Sequence, residues 1–290
     1  MRVEEMVERV WPGSRPQIEV LGGGITNRNF KVTLGDGAYV LRIGGKDTEL
    51  LGIDRRVEHQ ASLAAAAVGV GPEVVAFVEP EGYLVTRFLE GEVVEPEAIR
   101  EPEGLRRVAR ALRAVHSGPP IPGRFDAFRV VEAYAATAAA RGVEVPRAFE
   151  RAHETAALVE RARGPAPERP CHNDLLTANF IGDGARIRIV DWEYAGMGDL
   201  FFDLANFTVN NGLSEDGSAE LLRAYFGDVQ PEHERALTLM RYMSDFREAM
   251  WGVVQQALSD LEFDFRAYAD EHFDRLEGTA SARSFRRALA

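Results

Sequence analysis

The stretch Cys171-His172-Asn173-Asp174-Leu175-Leu176-Thr177-Ala178-Asn179-Phe180-Ile181 puts a histidine, a carboxylate and an amide in one short loop. A second carboxylate, Asp191, comes twelve residues after Asn179 and ends the apolar run Ile189-Val190. Phosphoryl transfer from ATP needs such a set. One carboxylate orients a hydroxyl and takes its proton; an amide and a second carboxylate hold Mg²⁺ on the phosphates. Asp174 is the candidate base. Asn179 and Asp191 are the candidate Mg²⁺ ligands, because a hard cation takes oxygen donors. Alone, each would read as a turn or capping residue. Their order and spacing beside His172 carry the chemical reading. His172 itself reads as structural, holding the loop by a hydrogen bond, and Cys171 as a small buried apolar residue.

Two upstream features could serve the same chemistry. Gly22-Gly23-Gly24-Ile25-Thr26-Asn27 lies between two strand-like runs. Glycines there let backbone N–H groups approach phosphates, so Gly23, Gly24, Thr26 and Asn27 are candidate nucleotide contacts. The segment is not a Walker loop, nor a dinucleotide fingerprint, since Asn27 stands where the third glycine belongs. A plain hairpin turn remains the competing reading. Arg42 ends the run Tyr39-Val40-Leu41 and can hold phosphate oxygens as a permanently charged fork. Glu58, in the next helix, is its expected partner, with Glu49 as an outside alternative. Asp199 and Asp203, flanking Leu200-Phe201-Phe202, read as a helix cap and a brace for the catalytic loop rather than as a second metal site.

The elements that must position these residues change character along the chain. Up to about residue 90 the pattern is strands and turns with helices near 3–10 and 54–68. Alternating runs at Asn29–Leu34 and Tyr39–Ile43 flank Gly35-Asp36-Gly37, a hairpin signal. Val74–Phe77 and Tyr83–Arg87 make a further strand pair. Beyond Phe88–Glu92, a connector, helical spacing dominates over 103–117, 126–141, 147–163 and 199–276. Residues 164–170 read as a Pro-rich approach to the catalytic loop, 180–190 as a small hairpin, and the last dozen residues as a fraying end. The pattern predicts an α+β fold in two lobes: residues 1–88, an antiparallel sheet with one helix, and residues 89–290, mostly helical.

Composition excludes several classes. Hydrophobic residues at 46% and charged ones at 28% are those of a soluble globular protein. The net charge of −12 argues against nucleic-acid binding, which runs on phosphate neutralisation by Lys and Arg. Cys171 is the only cysteine, so no intrachain disulfide forms and a cytoplasmic setting is expected. Met1-Arg2-Val3-Glu4-Glu5 reads as a charged amphipathic opening rather than a signal peptide. No run approaches the ~20 apolar residues that span a bilayer, so no stable membrane association is expected. Nothing in the sequence specifies an oligomer.

The pattern H-x-D-x-x-x-x-N followed by a strand ending in Asp resembles the core of kinase-like phosphotransferases acting on small molecules. More specifically, the chain resembles the choline/ethanolamine kinase family within the aminoglycoside-phosphotransferase-like group, and its bacterial choline kinase branch above all. The resemblance is carried by Gly22 to Phe30, Tyr39 to Ile43, His172 to Phe180 and Val190-Asp191-Trp192-Glu193-Tyr194-Ala195-Gly196. Trp251-Gly252-Val253-Val254-Gln255 and Tyr268 extend it.

The resemblance implies a two-lobed protein-kinase-like fold with ATP between the lobes and adenine on the backbone near Arg87, Phe88 and Leu89. It implies a small amino alcohol as acceptor, most simply choline. Tyr194, Trp251 and Tyr268 would supply rings for the ammonium head, and Glu193 would counter its charge or orient a metal water. Ring faces suit a quaternary ammonium, which has no N–H to donate. Helix packing is the competing reading for Trp251 and Tyr268. Glu248 stands where eukaryotic choline kinases have a further tryptophan. A carboxylate there suits a primary ammonium and raises ethanolamine as the alternative. Other acceptors on the same fold, an aminoglycoside or thiamine, stay open. So, more remotely, does a nucleotide-binding pseudokinase.

Overall fold

The computed structural model describes residues 3–22, 27–35 and 37–290. The chain runs through α1 (Val3–Val10), β1 (Gln17–Leu21), β2 (Asn27–Leu34), β3 (Gly37–Gly44), α2 (Arg55–Ala67), β4 (Val74–Val78) and β5 (Tyr83–Arg87). After β6 (Glu92–Val93) come α3 (Pro96–Arg100), α4 (Pro102–His116), α5 (Ala127–Ala140) and α6 (Ala148–Arg163). The catalytic-loop region holds β7 (Glu168–Cys171), β8 (Phe180–Gly182), β9 (Ile187–Ile189) and β10 (Gly196–Asp199). Helices α7 (Leu200–Asn210), α8 (Glu215–Phe226), α9 (Pro231–Leu258), α10 (Phe265–Ser281) and α11 (Arg283–Leu289) complete it.

Strands β1 to β5 form one antiparallel sheet in the order β1-β2-β3-β5-β4. Its period-2 pattern sends Phe30, Val32, Tyr39, Leu41 and Val85 to one face, where Met6 and Val7 of α1 cover them. Helix α2 bridges β3 and β4. Asp54 caps it by accepting from the N–H groups of Arg56 and Val57, which fixes where Glu58 emerges.

The helical lobe is built around α9. Every residue from Tyr242 to Gln255 is buried, because α5, α6, α7, α10 and α11 all pack against this one helix. A helix enclosed on all sides needs apolar residues round its whole circumference, so charged residues inside it stand out. Among the described residues no helix is long and apolar enough to cross a membrane.

Two expectations are corrected. The Pro-rich approach contains β7, which pairs antiparallel with β10. Its partner lies far along the chain, and four residues are too few to show alternation. Gly196 and Gly198 let residues 123–125 lie against the other edge of β10: a Cβ at Gly196 would stand 3.0 Å from the Phe125 nitrogen, and one at Gly198 2.8 Å from the Phe125 oxygen. The C-terminal dozen residues hold the end of α10 and the docked helix α11 instead of fraying. Phe285, 1% exposed, stacks on Tyr242 with ring centroids 5.1 Å apart. Phe285→Ala is expected to cost about 3–5 kcal/mol of stability, as truncation of a buried aromatic does. Urea unfolding checks it, and a loss below about 1 kcal/mol would mean the helix is not docked.

Candidate active site

The catalytic loop is held from beneath by one carboxylate. Asp203, fully buried on α7, accepts from the N–H of His172 at 2.8 Å and of Asn173 at 2.6 Å. His116 of α4 contacts the same carboxylate at 3.0 Å and the Tyr225 hydroxyl at 2.8 Å. Asp203 is thus the expected loop brace, while Asp199 caps α7 and pairs with Arg163. Asn173 takes a left-handed backbone with φ 68°, which an Asx residue tolerates. Its side-chain amide donates to the Tyr194 carbonyl at 3.0 Å, tying the loop to the Trp192-Glu193-Tyr194 segment.

His172 plays the structural part expected. Its Nε2 lies 2.9 Å from the Val190 carbonyl and its Nδ1 accepts the Asp174 N–H at 3.2 Å, which describes the neutral Nε2–H tautomer. Burial lowers its pKa in the same sense. Cys171 is fully buried, and burial pushes its thiol well up.

Asp174, Asn179 and Asp191 come together. The Asn179 amide nitrogen donates to the Asp174 carbonyl at 2.8 Å, and Asn179 N–H closes the Thr177–Asn179 turn. Asp191 also sits in the left-handed region, φ 70°. Burial raises the Asp174 carboxyl to about 7, against the downward pull of Arg247. Asn179 Oδ1 and Asp191 Oδ2 accept no hydrogen bond among the described residues. Both side chains line the same cleft, so the oxygen donors a hard cation takes are present there.

That cleft, about 380 Å³, lies between the sheet and the catalytic-loop hairpin. Leu21, Val40, Leu84, Phe88, Leu89 and Ile181 give it apolar walls. The N–H groups of Arg87 and Phe88 are taken by the Glu73 and Ala38 carbonyls. Among the described residues the Leu89 N–H has no such partner. Gly23, Gly24 and Thr26 lie outside the described residues. Gly22 and Asn29 on either side of them line the cleft.

A buried ion network closes the back of the cleft. Arg42 Nη1 binds Glu58 at 2.7 Å, as expected, and also Asp191 at 2.6 Å. Burial alone would lower its pKa, but Asp191, Glu58 and Glu193 hold it above the ordinary arginine value. Arg55 binds the other Glu58 oxygen at 2.7 Å and Glu193 at 3.2 Å. Asn27 donates to Glu193 at 2.8 Å. Burial, then the neighbouring Asp191 charge, raises the Glu193 carboxyl to about 7. Arg55 escaped the sequence reading, although its i,i+3 spacing to Glu58 was a usable signal.

The expected acceptor residues also converge. Trp251 Nε1 donates to the Tyr194 hydroxyl at 3.1 Å, and the Trp251 and Tyr268 rings meet edge-on at 5.7 Å. Phe263, half-exposed and not foreseen, packs against Tyr268 at 6.0 Å. Glu248 is 3% exposed; it accepts from Arg247 and Asn206 on Oε1 and from the Tyr268 hydroxyl on Oε2. Burial opposes its charge, yet Arg247 and His272 keep its pKa below the usual carboxylate value. Arg247 was also missed. It binds Asp174 at 3.0 Å and lies over the Tyr194 ring, 4.5 Å from its centroid.

A carboxylate-bearing loop beside a cleft backed by an Arg–Glu pair is the arrangement of a kinase-like phosphotransferase. Comparisons with known proteins agree. The phosphotransferase enzyme family model matches residues 17–239. The crystal structure of a choline/ethanolamine kinase family protein from Mesorhizobium loti is 33% identical, with a TM-score of 0.85, over 100% of this chain and 98% of that one. Protein LicA of Haemophilus influenzae is 25% identical over 87% of this chain and 76% of its own length. Human ethanolamine kinase 2 is 25% identical over 95% and 79%. The chain belongs to the phosphotransferase enzyme family, in its choline/ethanolamine kinase branch, and is a small-molecule kinase.

Asp203→Ala would leave two buried backbone N–H groups without an acceptor, at about 1–3 kcal/mol each. A combined loss of about 2–6 kcal/mol in denaturant unfolding is expected. A loss under about 1 kcal/mol would show that the loop does not depend on this brace.

Proposed function

We propose that the protein transfers the γ-phosphoryl group of ATP to the hydroxyl of a small amino alcohol, with choline as first acceptor. The observation that carries this is the meeting of two half-sites at Asp174. On one side lies the cleft holding Arg42, Asn179 and Asp191. On the other lies the Tyr194, Trp251 and Tyr268 ring set. In this reading adenine lies against the apolar wall near Phe88 and hydrogen-bonds the backbone at Leu89. Arg42, held by Glu58, contacts phosphate oxygens. Gly23, Gly24, Thr26 and Asn27 are the proposed phosphate contacts. Asn179 Oδ1 and Asp191 would hold Mg²⁺, which when bound offsets the phosphate charge. Asp174 orients the acceptor hydroxyl and takes its proton as the new P–O bond forms.

The choice of choline rests on what Glu248 is doing. Its oxygens already accept from Arg247, Asn206 and Tyr268, so ring faces rather than a free carboxylate remain for the cation. Ring faces are each worth about 0.5–2 kcal/mol to a quaternary ammonium. Ethanolamine is the second reading, favoured by relatives that carry that name and by a rearranged Glu248 able to accept N–H bonds.

Asp174→Asn is expected to cut turnover of ATP with choline or ethanolamine at least ~10²-fold and to leave ATP binding intact. Asp191→Asn is expected to raise the Mg²⁺ concentration giving half-maximal rate. Coupled ATP-consumption assays over a Mg²⁺ series measure both. Full activity in Asp174→Asn would remove the assignment of the base.

A further inference from the structure

Arg247 is a guanidinium enclosed on α9, 1% exposed, in a stretch that is mostly apolar apart from Ser244, Asp245 and Glu248. Stability does not explain it. A buried arginine–glutamate pair is commonly neutral or costly compared with apolar residues of the same volume. Among the described residues its Nε and Nη2 find no hydrogen-bond partner, which adds to the cost. Such an expense calls for a role beyond packing, and the bonds of Arg247 lead to the reacting carboxylate.

The backbone of Asp174 is pinned twice, by His172 Nδ1 on its N–H and by the Asn179 amide on its carbonyl. Neither bond sets the rotation of the carboxylate. Among the described residues only Arg247 does so: its Nη1 donates to Oδ1 at 3.0 Å, and Oδ2 accepts nothing. Arg247 is itself immobilised. The same Nη1 binds Glu248 Oε1 at 2.7 Å, and the guanidinium rests on the Tyr194 ring. Glu248 is held in turn by the Tyr268 hydroxyl and the Asn206 amide, and Asn206 Oδ1 accepts the Leu175 N–H at 2.6 Å. The clamp therefore closes on the loop that carries Asp174.

We propose that Arg247 is a positioning residue for phosphoryl transfer: it fixes Oδ1 of Asp174 and leaves Oδ2 as the atom that meets the acceptor hydroxyl. Its burial keeps it off the substrate, so it acts through Asp174. The inference rests on Asp174 being the base. It also places one guanidinium between Asp174 and Glu248, the two carboxylates it bonds.

The test is steady-state kinetics with ATP and with choline and ethanolamine, on Arg247→Lys, Arg247→Met and the double variant Arg247→Met/Glu248→Gln. Asp174→Asn serves as reference. The double variant leaves no uncompensated Glu248 charge and so guards against misfolding. Arg247→Met and the double variant should lose at least ~10-fold in kcat, the cost of a base that no longer holds its orientation. KM for ATP should stay within about two-fold in both, and KM for the amino alcohol should not rise in Arg247→Met, where both carboxylates remain. Arg247→Lys should recover part of kcat, since an ammonium can still donate to Oδ1.

Wild-type kcat in the double variant would overturn the proposal. So would a loss shared by kcat and both KM values, the mark of a loosened fold. So would a lysine variant no better than methionine. An active Asp174→Asn would defeat the base assignment itself. An inactive Asp174→Asn beside unaffected Arg247 variants would defeat the Arg247 proposal alone.

Discussion

The interaction on which the site depends is the buried ion network joining the sheet to the catalytic-loop hairpin. Arg42 on β3 bonds both Glu58 on α2 and Asp191 after β9, while Arg55 bonds Glu58 and Glu193. Charges in a low-dielectric interior are expensive unless each is paired, so the geometry is self-enforcing. Separating the two halves would strand Asp191 and Glu193 without a cation and leave Arg42 and Arg55 sharing Glu58 alone. The network thereby sets the width of the cleft and fixes Asp191 at its floor. It adds little to net stability and much to the definition of one arrangement.

The same logic recurs at the acceptor side with other residues. Asp203 gathers the N–H groups of the catalytic loop, and Arg247 and Glu248 meet Asp174 from α9. The loop is short, contains one left-handed Asn and buries Leu175 in the core. It keeps its shape because buried polar groups accept only the partners they already have. The proposed chemistry therefore sits on a backbone whose position is set by buried side chains of α4, α7 and α9.

Much of this was legible in the sequence, because the informative residues are local. The H-x-D-x-x-x-x-N spacing, the strand ending at Asp191 and the hairpin alternation of β2 and β3 lie within short windows. Glu58 could be paired with Arg42 because it lies in the helix that follows the Arg42 strand. The parts that were missed depend on long-range partners. Strand β7 needs β10 to be a strand, and α11 needs the Tyr242 face of α9 to be a helix with somewhere to dock. Arg247 could be read as part of an ordinary charged turn of helix until α9 was seen to be enclosed, and Glu248, singled out for the ammonium, was not seen as its partner. The usable signal was three charges, Asp245, Arg247 and Glu248, in a stretch otherwise dense in apolar residues.

Phosphorus NMR of the products formed by the protein from Mg·ATP with choline, and separately with ethanolamine, tests the central claim most directly. The account predicts ADP and a new phosphomonoester resonance, formed in equal amounts and dependent on the alcohol, with choline turned over faster. ATP converted only to ADP and inorganic phosphate, or left unchanged with both alcohols, would contradict it.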